Sequence, residues 1–184
     1  MQFDKTEIEG VFTIAPRVFT DERGVFMESF KQSAFTAATG RDVSFVQDNC
    51  SASLRAGTVR GLHMQNPPRA QGKLVSCTRG SILDFVVDIR KASRTYGQHI
   101  SRKLSADNRV QLWIPEGFLH GFVTLEDDSE VRYKCTEYYA PQCEHTIAWD
   151  DADLGLDWGV SAGAAILSGK DALAVAFKDM VSPF

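Results

Sequence analysis

The spacing of turn signals constrains the fold of this chain more than any other feature. Asp21-Glu22-Arg23-Gly24, Asn66-Pro67-Pro68, Arg79-Gly80, Ala106-Asp107-Asn108 and Glu126-Asp127-Asp128-Ser129 cut it into short runs rich in Val, Ile, Phe and Tyr. β-Branched and aromatic residues suit a pleated, half-buried surface, and Gly, Pro, Asn and Asp supply the reversals between strands. The pattern predicts an antiparallel all-β domain of the jelly-roll or related barrel type, with helices at the margins only. Those helices are expected over Gln32 to Thr39 and Lys170 to Lys178. There are no repeats, low-complexity tracts or linker-like shifts in composition, so residues 1–184 read as one domain, long enough to bury a core.

Alternation along the strands gives the next level of detail. From Ile82 to Ile89, the residues Leu83, Phe85, Val87 and Ile89 share one face, and Asp84 and Asp88 take the other. The same parity puts polar residues on faces that should point inward. On the strand expected from Ser129 to Tyr139, Tyr133 goes with Val131, Cys135 and Tyr139; Lys73 goes with Val75 and Cys77, and Glu28 with Phe26 and Phe30, while Gln47 and Asn49 follow Phe45. Lys and Glu are rarely buried without partners, because desolvating a charge is costly. Several such residues aimed into one barrel predict a polar cavity that receives a ligand.

Charge and composition exclude some function classes. A formal net charge of −4 is no footprint for wrapping nucleic acid, although local Arg and Lys residues can still hold a small anion. The N-terminus, Met1-Gln2-Phe3-Asp4-Lys5, lacks the basic-then-apolar run of a signal peptide, and no apolar stretch approaches the ~18 residues of a membrane span. Cys50, Cys77, Cys135 and Cys143 form no C-x-x-C pair and no zinc-finger spacing. They read as reduced packing thiols in a cytoplasmic protein.

Five segments, in order, carry a resemblance. They are Arg60-Gly61-Leu62-His63-Met64-Gln65, Gln71-Gly72-Lys73-Leu74-Val75, Ile114-Pro115-Glu116-Gly117-Phe118-Leu119-His120-Gly121-Phe122, Tyr133-Lys134-Cys135-Thr136 and Ser168-Gly169-Lys170-Asp171. With Phe19-x-Asp21-x-Arg23-Gly24-x-Phe26 upstream, the chain resembles the dTDP-4-dehydrorhamnose 3,5-epimerase family of dTDP-sugar epimerases, in the cupin superfamily. The resemblance implies a cupin-type jelly roll, a homodimer, no cofactor, and a dTDP-4-keto-6-deoxy-sugar substrate inverted at C3 and C5. Matched positions make His63 the base, Asp171 its partner, Tyr133 the acid and Lys73 the counter-charge for the enolate. Arg23, Glu28, Gln47, Asp48, Asn49, Arg60, Lys73, His120, Glu144 and Lys170 become substrate contacts. The chemistry agrees. A 4-keto group acidifies the hydrogens at C3 and C5, imidazole can accept a proton near neutral pH, and a phenol can return one.

Rival readings stand beside these. Ser168-x-x-Asp171 also reads as a capping box. Tyr138 and Tyr139 compete with Tyr133 as proton donor. His99 and His145 read as structural or surface residues. Arg60 and His63 lie three apart, so a flat strand would face them oppositely unless Gly61 allows a kink or bulge, or a second subunit supplies one of them. A metal-dependent cupin needs further ligands near His63, where the chain continues Met64-Gln65-Asn66-Pro67-Pro68, so no metal is expected. A sugar-binding module would not need base and acid together. A single-centre epimerase shares the catalytic motifs.

Overall fold

The computed structural model describes residues 1–184. The strands run β1 (Gln2–Lys5), β2 (Phe12–Ala15), β3 (Val18–Asp21), β4 (Gly24–Met27), β5 (Gln47–Ser53), β6 (Val59–Gln65) and β7 (Lys73–Arg79). They continue as β8 (Ser81–Asp88), β9 (His99–Ser105), β10 (Gln111–Ile114), β11 (Phe118–Thr124), β12 (Ser129–Cys135) and β13 (Glu144–Thr146). A six-stranded sheet, β1-β2-β10-β7-β12-β5, faces a five-stranded sheet, β13-β6-β11-β8-β9, and every strand pair in them is antiparallel. This is the expected jelly-roll arrangement. The hairpin β3–β4 stands apart as a two-stranded ribbon.

Burial follows three contacts between layers. Between the sheets, Val75, Cys77, Leu112 and Val131 of one meet Ile82, Val86 and Ile100 of the other. The outer face of the five-stranded sheet is covered by the C-terminal third of the chain, where Phe85, Val87, Ile89 and Leu119 pack with Trp149, Leu154 and Trp158. The helix α1 (Gln32–Thr39) lies where the sequence places it, and it drives Phe35 against Leu74 and Trp113 on the six-stranded sheet. Gly40, at φ 71°, ends it in the left-handed conformation that a side chain would resist, its N–H reaching Thr36 O at 2.9 Å. Strand β8 is consequently buried on both faces. The Asp84 and Asp88 side that alternation separates from Leu83, Phe85 and Val87 is an interior surface, and both carboxylates are fully enclosed.

Two expected spans change. The helix predicted over Lys170 to Lys178 is replaced by single 3₁₀ turns at Asp171–Leu173 and Phe177–Asp179. Between them Val175 forms a parallel bridge to Ile147, and the Ala148 N–H bonds Val175 O at 2.8 Å. Helix propensity in this Ala-rich stretch is a weak preference, overridden by backbone pairing and by packing of Phe177 and Met180 on the sheet. The strand expected from Ser129 to Tyr139 ends at Cys135; beyond it side chains take over the backbone carbonyls, Gln71 holding that of Glu137 and Gln65 that of Tyr138.

Candidate active site

The cavity that parity predicts is present. It measures about 510 Å³, and its walls come from opposite sheets. Arg60 and His63 of β6 and His120 of β11 line one wall, while Lys73 of β7 and Tyr133 of β12 line the other. Tyr139, Glu144, Ser168, Lys170 and Asp171 complete the rim. The β6–β11 pair explains how Arg60 and His63 share a face. His63 sits opposite His120 and Arg60 opposite Phe122, with a register shift between them. The shift requires glycine on both strands: a Cβ on Gly61, at φ 129°, would lie 2.5 Å from Gly121 Cα, and one on Gly121 would lie 2.8 Å from Arg60 O. The bulge re-aims Arg60 into the cavity.

His63 Nε2 lies 2.5 Å from Asp171 Oδ1. Asp171 uses its other oxygen to accept from Ser168 Oγ at 2.8 Å, and its own N–H donates to Ser168 Oγ at 3.1 Å. The bond to Ser168 and the histidine partner therefore coexist, one oxygen for each, but the expected capping box does not form: the 3₁₀ turn begins at Asp171, and its N-cap residue Lys170 makes no side-chain cap. Burial lowers the pKa of His63, opposed by Asp171, so the ring favours its neutral, proton-accepting form. Burial alone would raise Asp171, but the hydrogen bonds from His63 and Ser168 outweigh it and keep the carboxyl below its usual range.

Across the cavity, burial raises the Tyr133 phenol and lowers the Lys73 ammonium. Lys73 is in no salt bridge in the chain, the nearest opposite charges acting on it only at longer range from Glu144 and Asp84. A half-buried cation without a partner in a concave site is placed to meet an anionic group of a ligand. Tyr138 is 59% exposed and outside the lining, Tyr139, 53% exposed, lies at the rim, and Tyr133 points into the cavity from its wall beside Val131 and Cys135.

At the rim Glu144 accepts from Tyr139 Oη at 2.8 Å and from Lys170 Nζ at 2.7 Å. Gln47 and Asn49 project from β5 on the same side as Tyr133 and bond each other at 3.0 Å. Gln47 accepts the Tyr139 N–H, and Asn49 donates to Cys135 Sγ. Asp48 lies on the other side of β5. It is paired with Lys134 at 3.0 Å in a separate concavity of about 650 Å³ on the outside of the six-stranded sheet. Arg23 and Glu28 are exposed on and beside the β3–β4 hairpin, outside the cavity lining, and Arg23 pairs with Asp21 at 2.6 Å. No three His, Cys, Asp or Glu side chains converge in a group able to hold a metal ion.

Asp84 is the residue that reading the sequence missed. Fully enclosed on β8, it bonds His120 Nε2 at 2.9 and 3.1 Å. Parity groups it with Ile82 and Val86, but only the packing on both sides of β8 shows that this face is interior.

The family model described as dTDP-4-dehydrorhamnose 3,5-epimerase matches residues 5–179. The chain is 51% identical over 170 residues to the dTDP-4-dehydrorhamnose 3,5-epimerase of Salmonella typhimurium, covering 92% of each protein. It superposes on the crystal structure of dTDP-4-dehydrorhamnose 3,5-epimerase from Elizabethkingia anophelis with a TM-score of 0.93 at 43% identity, covering 97% of each chain. The dTDP-6-deoxy-D-glucose-3,5-epimerase of Legionella pneumophila, solved in complex with dTDP-4-keto-L-rhamnose, gives 0.93 at 41% identity, covering 98% of this chain and 94% of that one. Sequence and fold agree along nearly the full length: the chain belongs to the dTDP-4-dehydrorhamnose 3,5-epimerase family.

Proposed function

We propose that residues 1–184 act as one epimerase domain that inverts C3 and C5 of dTDP-4-dehydro-6-deoxy-D-glucose to give dTDP-4-dehydro-L-rhamnose. The observation that supports this is that His63 on β6 and Tyr133 on β12 face one cavity from opposite sheets, where they can serve as base and acid. Inversion of a carbon needs a proton removed from one face and returned to the other, and this site provides that geometry. His63 takes the proton from the carbon beside the ketone, and Asp171 steadies the imidazolium that results. The electrons move into the C4 oxygen as an enolate, which the Lys73 ammonium faces across the cavity. Tyr133, kept protonated by its burial, gives a proton to the opposite face. Arg60, His120, Glu144 and Lys170 line the same cavity and contact the sugar and diphosphate, with Gln47 and Asn49 at its edge. Side chains carry every proton, so the step needs no metal or cofactor.

The working form is a homodimer in which Arg23 and Glu28 serve the partner's cavity. Support comes from the β3–β4 hairpin, which leaves Phe26 72% and Val25 54% exposed. A lone two-stranded ribbon with bare apolar side chains is not stable in water and calls for a covering surface. The concavity beside it, lined by Met27, Asp48, Arg132 and Lys134, offers one to a second copy. We place the enzyme in the cytoplasm, where Cys77 and Cys135, both buried, and the other two unpaired thiols stay reduced.

The test is incubation of the protein with dTDP-4-keto-6-deoxyglucose in heavy water, followed by proton NMR of the sugar. Deuterium at C3 and C5 with inversion at both is expected. Labelling of one carbon alone would make the protein a single-centre epimerase, and Tyr133→Phe is expected to label carbons without full inversion.

A further inference from the structure

The cavity contains a second histidine–carboxylate pair, and the mechanism above gives its carboxylate no part. Asp84 is fully enclosed, and the strand carrying it is covered on both faces. Both its oxygens converge on one atom, His120 Nε2, at 2.9 and 3.1 Å. It accepts nothing else, and no arginine or lysine salt bridge reaches it. His120 is itself 6% exposed and stands directly across β6–β11 from His63. Its Nδ1 has no hydrogen-bond partner in the chain, yet it is not among the polar atoms sealed away from solvent, so it opens on the cavity that His120 lines. A carboxylate enclosed in an apolar sheet core is costly unless it does something for its partner.

We propose that Asp84 is a positioning residue that fixes His120 as the Nε2–H tautomer and presents Nδ1 to the sugar. The neutral ring then offers the substrate a hydrogen-bond acceptor at Nδ1, and the protonated ring a donor held against a fixed anion. Burial pushes the Asp84 carboxyl up while His120 and Lys73 pull it back, so the pair and Lys73 feel one another across the site. His63 and His120 thus sit side by side on one wall, each oriented by its own carboxylate on a different element.

Nitrogen-15 NMR of the wild-type imidazoles, with His120 assigned by its loss in His120→Gln, tests the tautomer directly. A protonated Nε2 and bare Nδ1 in the neutral ring is the expected result, and an Nδ1–H tautomer overturns the proposal. This readout needs no substrate and no Asp84 variant, so it decides even where Asp84→Asn fails to fold. The kinetic arm rests on the epimerase reading. Asp84→Asn should keep its affinity for dTDP and lose roughly 10- to 100-fold in kcat, as is typical when the partner of an active-site histidine is removed. Asp84→Asn/His120→Gln should be no slower than His120→Gln alone, whereas additive losses would show that Asp84 does not act through His120. A wild-type protein inert toward the keto-sugar, with the Nε2–H tautomer intact, would reject the reaction and leave the positioning role standing.

Discussion

Asp171 divides its carboxylate between two duties, and that division makes its substitution informative. One oxygen meets His63 Nε2 and the other accepts from Ser168 Oγ. Asp171→Asn keeps the size and can still bond Ser168, so the structural cost should stay at about 1 kcal/mol or less, the range of one neutral hydrogen bond. Turnover should fall at least about a hundredfold, because an amide cannot stabilise the imidazolium that forms on proton abstraction. Thermal melting and steady-state kinetics separate the two, and a large loss of melting temperature with near-normal turnover would leave Asp171 only its structural bond to Ser168. The pH profile gives an independent reading. Burial lowers the pKa of His63, so its proton leaves at lower pH and the free base persists below the ordinary imidazole value of about 6.5. The acid limb of kcat/KM should therefore fall on the acid side of that value. Asp171 opposes the lowering, so Asp171→Asn should move the limb further toward acid, and a shift to higher pH would show that the pair is not coupled as drawn.

The β6–β11 pair is the element on which the site depends. Gly61 and Gly121 let two backbones approach so closely that a Cβ on Gly61 would meet Gly121 Cα at 2.5 Å and His120 O at 2.9 Å. These neighbours are backbone and cannot rotate aside, and Gly61 also holds φ at 129°. Gly61→Ala should cost about 2 kcal/mol or more in chemical denaturation and should abolish turnover in whatever fraction folds, since Arg60 and His63 would no longer face one wall together. Retained activity would mean that the bulge is not what aims them. The inward parity of Lys73 and Tyr133 and the helix at Gln32–Thr39 were legible in the sequence, because each depends on local periodicity and the propensity of a few residues. The role of Asp84 was not, because it depends on what covers β8: parity separates two faces but cannot say that both are interior. The C-terminal helix failed for a related reason, since Val175 pairs with Ile147 across a distance in sequence that no local pattern encodes. Arg60 was legible only as a contradiction that Gly61 could resolve, and it took the bulge on the neighbouring strand to resolve it.

At the scale of the whole molecule, the site as one chain builds it lacks two of its expected contacts. Arg23 and Glu28 lie outside the cavity lining, on or next to a hairpin whose aromatic side chains Phe19 and Phe26 are 49% and 72% exposed. In the proposed C₂ dimer, where Arg23 and Glu28 serve the partner's cavity, mixed dimers give the test. His63→Ala removes the base from its own cavity but leaves its hairpin intact. Arg23→Ala combined with Glu28→Gln does the reverse, so neither homodimer should turn over. In a mixed dimer one cavity combines both lesions, while the other combines an intact His63 with an intact hairpin. Random reassortment of equal amounts makes half the dimers mixed with one intact site each, so activity should return to about a quarter of the wild-type value per site. Separate homodimers mixed without subunit exchange should stay inactive. If reassorted mixtures also stay inactive while mass spectrometry shows that mixed dimers have formed, the hairpin serves its own cavity, and Arg23 and Glu28 reach the substrate only by movement within one chain.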